Sequence, residues 1–311
     1  MRVNLLTGRS IISVDDLTSE EFEGLLELAL RVKRSIKAGL FSLEKEGKSV
    51  ALLFQKPSTR TRLSLEVACN MLKMHPIALN WNELQLSRGE PLSDTARVFG
   101  KMVHCVAARV FSHDDLYTFR DYAKIPIINA LSDKEHPLQA LADFMTIKEK
   151  FGDFKKVKIA YVGDGNNVAN SLILATAKVG AYISVATPLN LKPSPDIVAR
   201  AKIEARKTGA KIEIDTNPQK AVESADVVYT DVWVSMGQEA EASSKIELLK
   251  GYQVNDQLFA LAKPEAYFMH CLPAHRGQEV TESVIDGPRS IVFEQAENRL
   301  YTTIAVFYSV L

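Results

Sequence analysis

Short apolar runs alternate along this chain with stretches whose apolar residues recur every three or four positions, and that alternation predicts strands separated by amphipathic helices. Thr18 with Glu21 three residues on forms a capping-box pattern. Phe22, Leu25, Leu26, Ala29, Val32 and Ile36 then mark one helical face, which Gly39 ends. The run Val50 to Phe54 reads as a strand, and the helix after Ser58 carries Leu63, Val67 and Met71 in one stripe. A strand over Ile77 to Asn80, a polar loop over Trp81 to Pro91 and a helix over Ser93 to Met102 come next. The pattern then predicts strand Cys105 to Phe111, helix Asp114 to Tyr122, strand Ile125 to Ile128 and a long helix from Pro137 to Lys150. From Val157 the alternation restarts with strand Val157 to Val162, helix Val168 to Val179, strand Tyr182 to Ala186 and helix Pro195 to Lys207. Strands Lys211 to Ile214, Val227 to Thr230 and Tyr267 to Met269 follow, then strand Ile291 to Phe293 and a last helix, Gln295 to Val310.

Apolar strands between amphipathic helices imply mostly parallel sheets covered on both faces, an α/β class. The 311 residues suit two doubly wound domains, residues 1–150 and 151–294, with the polar segment Gly152 to Lys156 at the boundary and residues 295–311 forming a helix that packs back on the first domain. Composition narrows the function. The 38 basic and 38 acidic residues balance, leaving no electrostatic footprint for nucleic acid. Cys69, Cys105 and Cys271 are odd in number and widely spaced, which suits a reducing compartment. No run approaches a membrane span, and Met1-Arg2-Val3-Asn4 lacks the apolar core of a signal peptide, so the expected location is the cytoplasm.

Several turns carry chemistry. Pro57 ends a strand and leads into Ser58-Thr59-Arg60-Thr61-Arg62, placing two hydroxyls and two guanidinium groups on a first helical turn. Free backbone N–H groups and the helix dipole already favour an anion there, and arginine adds two-pronged contact with phosphate oxygens. An ordinary N-cap followed by solvated arginines would look the same in isolation. Arg109 lies near the end of a strand, where ligands gather in open α/β sheets. His136-Pro137-Leu138-Gln139 opens a helix, and its histidine and glutamine can donate to a carbonyl oxygen and accept from an amide N–H. Val162-Gly163-Asp164-Gly165-Asn166-Asn167 mimics a dinucleotide fingerprint but lacks the third glycine, and the next strand ends Val185-Ala186-Thr187 without an acid to hold a ribose. Asp231 leaves a strand before Ser235-Met236-Gly237, so a carboxylate for an ammonium precedes helix-start N–H groups for a carboxylate. His270, Cys271 and His275 suggest zinc, yet supply fewer than four ligands, and a buried inert cysteine is an equally plain reading.

Taken in order, Ser-Thr-Arg-Thr-Arg at 58–62, His-Pro-Leu-Gln at 136–139, Gly-Asp-Gly-Asn-Asn at 163–167, Asp231 with Ser-Met-Gly at 235–237, His-Cys-Leu-Pro at 270–273 and Glu-Asn-Arg at 297–299 resemble the motifs of the aspartate and ornithine carbamoyltransferase family. The Ser-Met-Gly loop and His-Cys-Leu-Pro point to its ornithine branch. The resemblance implies an active site in the cleft between two domains and transfer of the carbamoyl group of carbamoyl phosphate to the δ-amine of L-ornithine, giving L-citrulline and phosphate in arginine metabolism. It implies that Ser58, Thr59, Arg60, Thr61, Gln85, Arg109, His136, Gln139, Cys271, Leu272 and Arg299 bind carbamoyl phosphate. Asn167, Asp231, Ser235 and Met236 would bind ornithine, with Arg109, His136, Asp231 and Cys271 catalytic and Gln85 reaching a neighbour's site in a homotrimer or larger assembly. Asp231, Cys271 and the departing phosphate all remain candidates to take the amine proton. No cofactor, metal, nucleic acid or membrane is implied. One departure is Asn170, where many relatives carry histidine and local helix packing is expected to differ. Putrescine or an acylated ornithine is the alternative acceptor. A nicotinamide dehydrogenase and a bilobal solute-binding protein are the rivals from other classes, the first lacking its glycine and ribose acid, the second a signal peptide.

Overall fold

The structure, a computed structural model, describes residues 6–234 and 242–311. Along the chain α1 (Ser19–Lys37), β1 (Ser49–Phe54), α2 (Thr59–Met71), β2 (His75–Asn80), α3 (Leu92–Met102), β3 (Cys105–Arg109), α4 (His113–Ala123), β4 (Ile127–Leu131) and α5 (Pro137–Phe151) come first. Then follow β5 (Lys158–Val162), α6 (Asn167–Val179), β6 (Tyr182–Ala186), α7 (Pro195–Thr208), β7 (Lys211–Asp215), α8 (Pro218–Val222) and β8 (Val227–Thr230). The remainder is α9 (Ala242–Leu249), α10 (Asp256–Phe259), β9 (Tyr267–His270), α11 (Glu282–Ile285) and α12 (Val292–Val310). The chain forms two compact units, one holding residues up to Met145 together with Glu297–Leu311, the other Thr146–Ala296. The dividing points fall inside α5 and α12, and the end of α12 belongs to the first unit.

In the first unit four parallel strands lie in the order β2-β1-β3-β4. Val50 to Leu53 and all of β3 are buried, as expected of strands covered on both faces, whereas β2 at the edge is half exposed. The Thr18 capping box forms as its spacing predicts: Thr18 Oγ1 accepts from Glu21 N–H at 3.2 Å, and Glu21 Oε2 accepts from Thr18 N–H at 2.9 Å. Helix α2 differs from expectation. Leu63 and Val67 are 57% and 39% exposed, and the face turned inward is Thr61, Ser64, Leu65, Ala68 and Cys69. Mostly short side chains there let the helix lie close to the sheet. Strand β3 ends at Arg109, and β4 starts at Ile127 because Pro126 has no N–H to give the ladder; the register shifts between Ala108 and Arg109.

The second unit has five parallel strands in the order β7-β6-β5-β8-β9. Helix α6 is buried from Val168 to Val179. No strand forms over Ile291 to Phe293. Ser290 makes one parallel bridge with Phe268, Ile291 N–H donates to Phe268 at 3.0 Å, and α12 begins at Val292. A three-residue apolar run does not separate a strand from a buried helix start. Among the described residues no helix is long and apolar enough to cross a membrane.

Each sheet reverses its winding once, between β1 and β3 and between β5 and β8. A crevice opens at such a point beyond the carboxyl ends of the strands, where ligands bind in doubly wound sheets.

The close approach of α3 to α4 depends on Gly100, where a Cβ would stand 2.0 Å from the carbonyl oxygen of Ala123. Gly100→Ala is therefore expected to destabilise the chain by about 1–3 kcal/mol through backbone displacement. A thermal melt of the variant checks this, and an unchanged Tm would contradict it.

Candidate active site

At the reversal in the first unit, β1 and β3 are laced together past their last residues. Gln55 N–H donates to the Arg109 carbonyl at 2.8 Å, and the Gln55 side chain accepts from Phe111 N–H. Ser58 caps α2, its hydroxyl accepting from Thr61 N–H at 3.3 Å, so Thr59, Arg60 and Thr61 occupy the first turn. The two arginines of this motif part company. Arg62 is exposed and pairs with Glu66 at 2.7 Å, while Arg60 lies close enough to His136 to act on its charge.

His136 stands just before Pro137, the first residue of α5, and is 5% exposed. Burial, with Arg299, Arg109 and Arg60 near, holds its pKa well below the ordinary imidazole value. At neutral pH the ring is therefore uncharged, a donor through one nitrogen and an acceptor through the other. Arg299, brought by α12, is 3% exposed; its Nη1 donates to Gln139 Oε1 at 2.6 Å and its Nη2 to Thr61 Oγ1 at 3.3 Å. Gln139 is fixed in turn, donating to Asp143 Oδ1 at 2.8 Å. Ser58, Thr59, Arg60, Thr61, Arg109, His136, Gln139 and Arg299 thus gather on the turns around one reversal. Three guanidinium groups about a neutral imidazole can hold an oxyanion and polarise a carbonyl beside it. Gln85 is not part of this set. It is exposed in the 3-10 helix Gln85–Arg88.

At the reversal in the second unit, β5 leads through Gly163-Asp164-Gly165-Asn166 into α6, and β8 leads into Asp231. The glycines have steric reasons. Gly163 has φ +139°, and a Cβ on Gly165 would fall 2.3 Å from Pro193 N. Asn166 caps α6, its Oδ1 accepting from Val168 and Ala169 N–H, and its Nδ2 donates to Asp231 Oδ2 at 2.7 Å. Asp231 is 5% exposed and also accepts at Oδ1 from Val232 N–H at 2.8 Å and from the Cys271 thiol at 2.9 Å. Cys271 follows β9 in a turn where Leu272 has φ +58°, an unfavourable region for a leucine. Leu272 N–H donates to His270 Nδ1 at 2.8 Å, so the imidazole proton lies on Nε2, toward Glu279 Oε1 at 3.4 Å. Asn167 opens α6. Asp231, Cys271 and Leu272 therefore share one end of the sheet with Asn167, while Ser235 and Met236 lie outside the described residues.

Sequence reasoning missed Asn166. Its only signal is an asparagine at a helix start, which reads as a cap and conceals the second bond to Asp231. The cluster able to ligate a metal also changes membership, since the donor atoms of Asp231, His270 and Cys271 lie within 4.8 Å of one another. His275 is instead exposed, with its ring 3.9 Å from Glu279. Three donors fall one short of a structural zinc site, and those of Asp231, Cys271 and His270 Nδ1 already make internal hydrogen bonds. At Asn170, buried in α6, the side chain accepts from Ser194 N–H at 3.0 Å and so ties α6 to the start of α7.

Residues 9–149 match the carbamoyl-P binding domain of aspartate/ornithine carbamoyltransferase, and residues 155–310 match its Asp/Orn binding domain. The chain is 53% identical over 308 residues to an ornithine carbamoyltransferase of Hyperthermus butylicus, covering 98% of both chains. It is 50% identical over 306 residues to the anabolic ornithine carbamoyltransferase of Pyrococcus furiosus, covering 98% of this chain and 97% of that one. The solved ornithine carbamoyltransferase from Pyrococcus furiosus superposes with a TM-score of 0.94 at 50% identity, over 98% of this chain and 97% of that one. The anabolic ornithine carbamoyltransferase from Campylobacter jejuni gives 0.91 at 40% identity, over 96% and 97%. With both of its halves matched by the family's two domains, and relatives half identical along nearly its whole length, this chain belongs to the aspartate/ornithine carbamoyltransferase family.

Proposed function

We propose that this protein transfers the carbamoyl group of carbamoyl phosphate to the δ-amine of L-ornithine, forming L-citrulline and phosphate. The observation that supports this most is the neutral His136 held among Arg60, Arg109 and Arg299, an arrangement suited to a phosphorylated carbonyl compound. Ser58, Thr59, Arg60 and Thr61 hold the phosphate. Arg299 braces Gln139 and Thr61, and Gln139 and Leu272 meet the carbamoyl group. The carbonyl oxygen takes hydrogen bonds from Arg109 and the imidazole N–H of His136.

The δ-amine has an unperturbed pKa of about 10, like that of lysine, and must lose a proton before it attacks. Its nitrogen then bonds to the carbonyl carbon and the oxygen becomes an oxyanion under Arg109 and His136; the bond to the phosphate oxygen breaks as the carbonyl re-forms, and the attacking nitrogen gives its second proton to the departing phosphate. Asp231 orients the amine. The Cys271 thiol donates its hydrogen to Asp231 in the resting chain, which leaves the carboxylate and the departing phosphate as the readier proton acceptors. Asn167, Ser235 and Met236 hold the α-amino acid end. That a relative half identical to this chain is named anabolic supports a role in arginine biosynthesis.

Apolar side chains on the surface of the first unit support an assembly of subunits. Leu63 and Val67 on α2, and Val98 and Met102 on α3, are apolar pairs four residues apart that face outward, Met102 at 74% exposure. Such pairs suit burial against other subunits, and a homotrimer would bring an exposed Gln85 to a neighbour's carbamoyl phosphate.

A citrulline assay run with ornithine, putrescine, acetylornithine and aspartate tests the activity; ornithine is expected to be the best acceptor, and a preference for putrescine would overturn the assignment. Arg60→Gly is expected to cost about 2–5 kcal/mol of carbamoyl-phosphate binding, seen as a raised KM for that substrate. Asp231→Ala should raise the ornithine KM far more than the carbamoyl-phosphate KM, and equal effects on both would count against its role. At a carbamoyl-phosphate concentration too low for either variant alone to turn over, Gln85→Ala chains mixed and reassembled with Arg60→Gly chains should regain activity, because some hybrid sites receive both intact residues. No recovery despite proven mixing would show each site to be complete within one chain.

A further inference from the structure

One buried ion pair has no part in the chemistry above. Lys245 Nζ lies 2.6 Å from Asp164 Oδ2, with the two side chains 10% and 7% exposed. A buried ion pair is weak as a source of stability, because desolvation cancels most of its attraction, and its best-attested use is to fix one arrangement over others. Here the arrangement concerns the amino-acid half of the site. Asp164 belongs to the turn between β5 and α6, and Lys245 to α9. Two residues after Asp164, Asn166 donates to Asp231 Oδ2 at 2.7 Å. One turn therefore holds two other points of the chain: Asp231 through Asn166, and Lys245 through Asp164.

The gripping turn is itself held firmly. Tyr161 Oη donates to the Asp164 carbonyl at 2.8 Å, and Gly165 N–H donates to the Leu191 carbonyl at 2.8 Å. Gly165 sits so close to the Leu191–Pro193 segment that no Cβ fits. The charges also divide by task. Asp164 is matched inside the protein by an ammonium, whereas among the described residues the donors on Asp231 are an amide side chain, a backbone N–H and a thiol, all uncharged. Of the two carboxylates, Asp231 is the one left to meet an amine from outside.

We propose that Lys245 and Asp164 are positioning residues for the amino-acid half-site, fixing α9 to the same turn that holds Asp231 and thereby setting the affinity for ornithine. This rests on the function proposed above. It also assigns the aspartate of Gly-Asp-Gly a task that is neither cofactor binding nor contact with substrate.

The test is steady-state kinetics of the full chain with each substrate varied in turn, for the wild type, Lys245→Met and Lys245→Arg. Lys245→Met is expected to raise the ornithine KM by about tenfold or more while the carbamoyl-phosphate KM stays within about twofold, and Lys245→Arg to recover most of the loss. A merely structural role would lower Tm without separating the two KM values. Should Lys245→Met fail to fold, the double variant Asp164→Asn with Lys245→Met removes both charges of the pair and carries the same expectation. An ornithine KM within about twofold of the wild type in the folded variant, or equal rises for both substrates, overturns the positioning role. An active wild type with an indifferent Lys245 sinks this proposal alone; a wild type that makes no citrulline from ornithine sinks the proposed activity with it.

Discussion

Arg299 reaches Gln139 at 2.6 Å and Thr61 at 3.3 Å while 3% exposed, and those two bonds join the working turns of three helices, α12, α5 and α2. A guanidinium taken out of water is costly unless its donors find acceptors, so the acceptors must be held still. Gln139 is held by Asp143, and Thr61 by the turn that Ser58 caps. The consequence spreads to His136. Buried with Arg299, Arg109 and Arg60 near, the imidazole stays neutral and keeps one N–H to donate. The last helix thus supplies a buried guanidinium to the first unit from nearly the far end of the chain.

The second unit meets the opposite problem with the same economy of parts. Two carboxylates, Asp164 and Asp231, lie near one reversal of strand order, and burial together with the charge of Asp231 raises the pKa of Asp164 while Lys245 lowers it. Asp231 is steadied by neutral donors from three segments: Asn166 after β5, its own neighbour Val232 after β8, and Cys271 after β9. Parallel strands make this possible, because all of their carboxyl ends face one way and deliver their following residues to one side. His270 adds a backbone constraint. By accepting from Leu272 N–H it supports a leucine in a left-handed conformation, immediately after the cysteine that meets Asp231.

By itself the sequence determined the class of fold and the turns that carry the chemistry. Alternation of apolar runs with amphipathic stretches is a local property, and so are a capping box, a proline at a first helical position and a hydroxyl-rich turn after a strand; Thr18, Pro137 and Ser58 all sit where those rules place them. Tertiary structure alone decided what depends on partners far along the chain. The outward turn of Leu63 and Val67, the helix in place of a strand at Val292, and the hydrogen bond from the Cys271 thiol to Asp231 were not legible, because periodicity says which residues share a face but not what that face meets. The same holds for Asn166 and Lys245. An asparagine at a helix start and a lysine in a polar helix read as a cap and a solvated charge, and only the fold brings them to Asp231 and Asp164, separated from them by 65 and 81 residues.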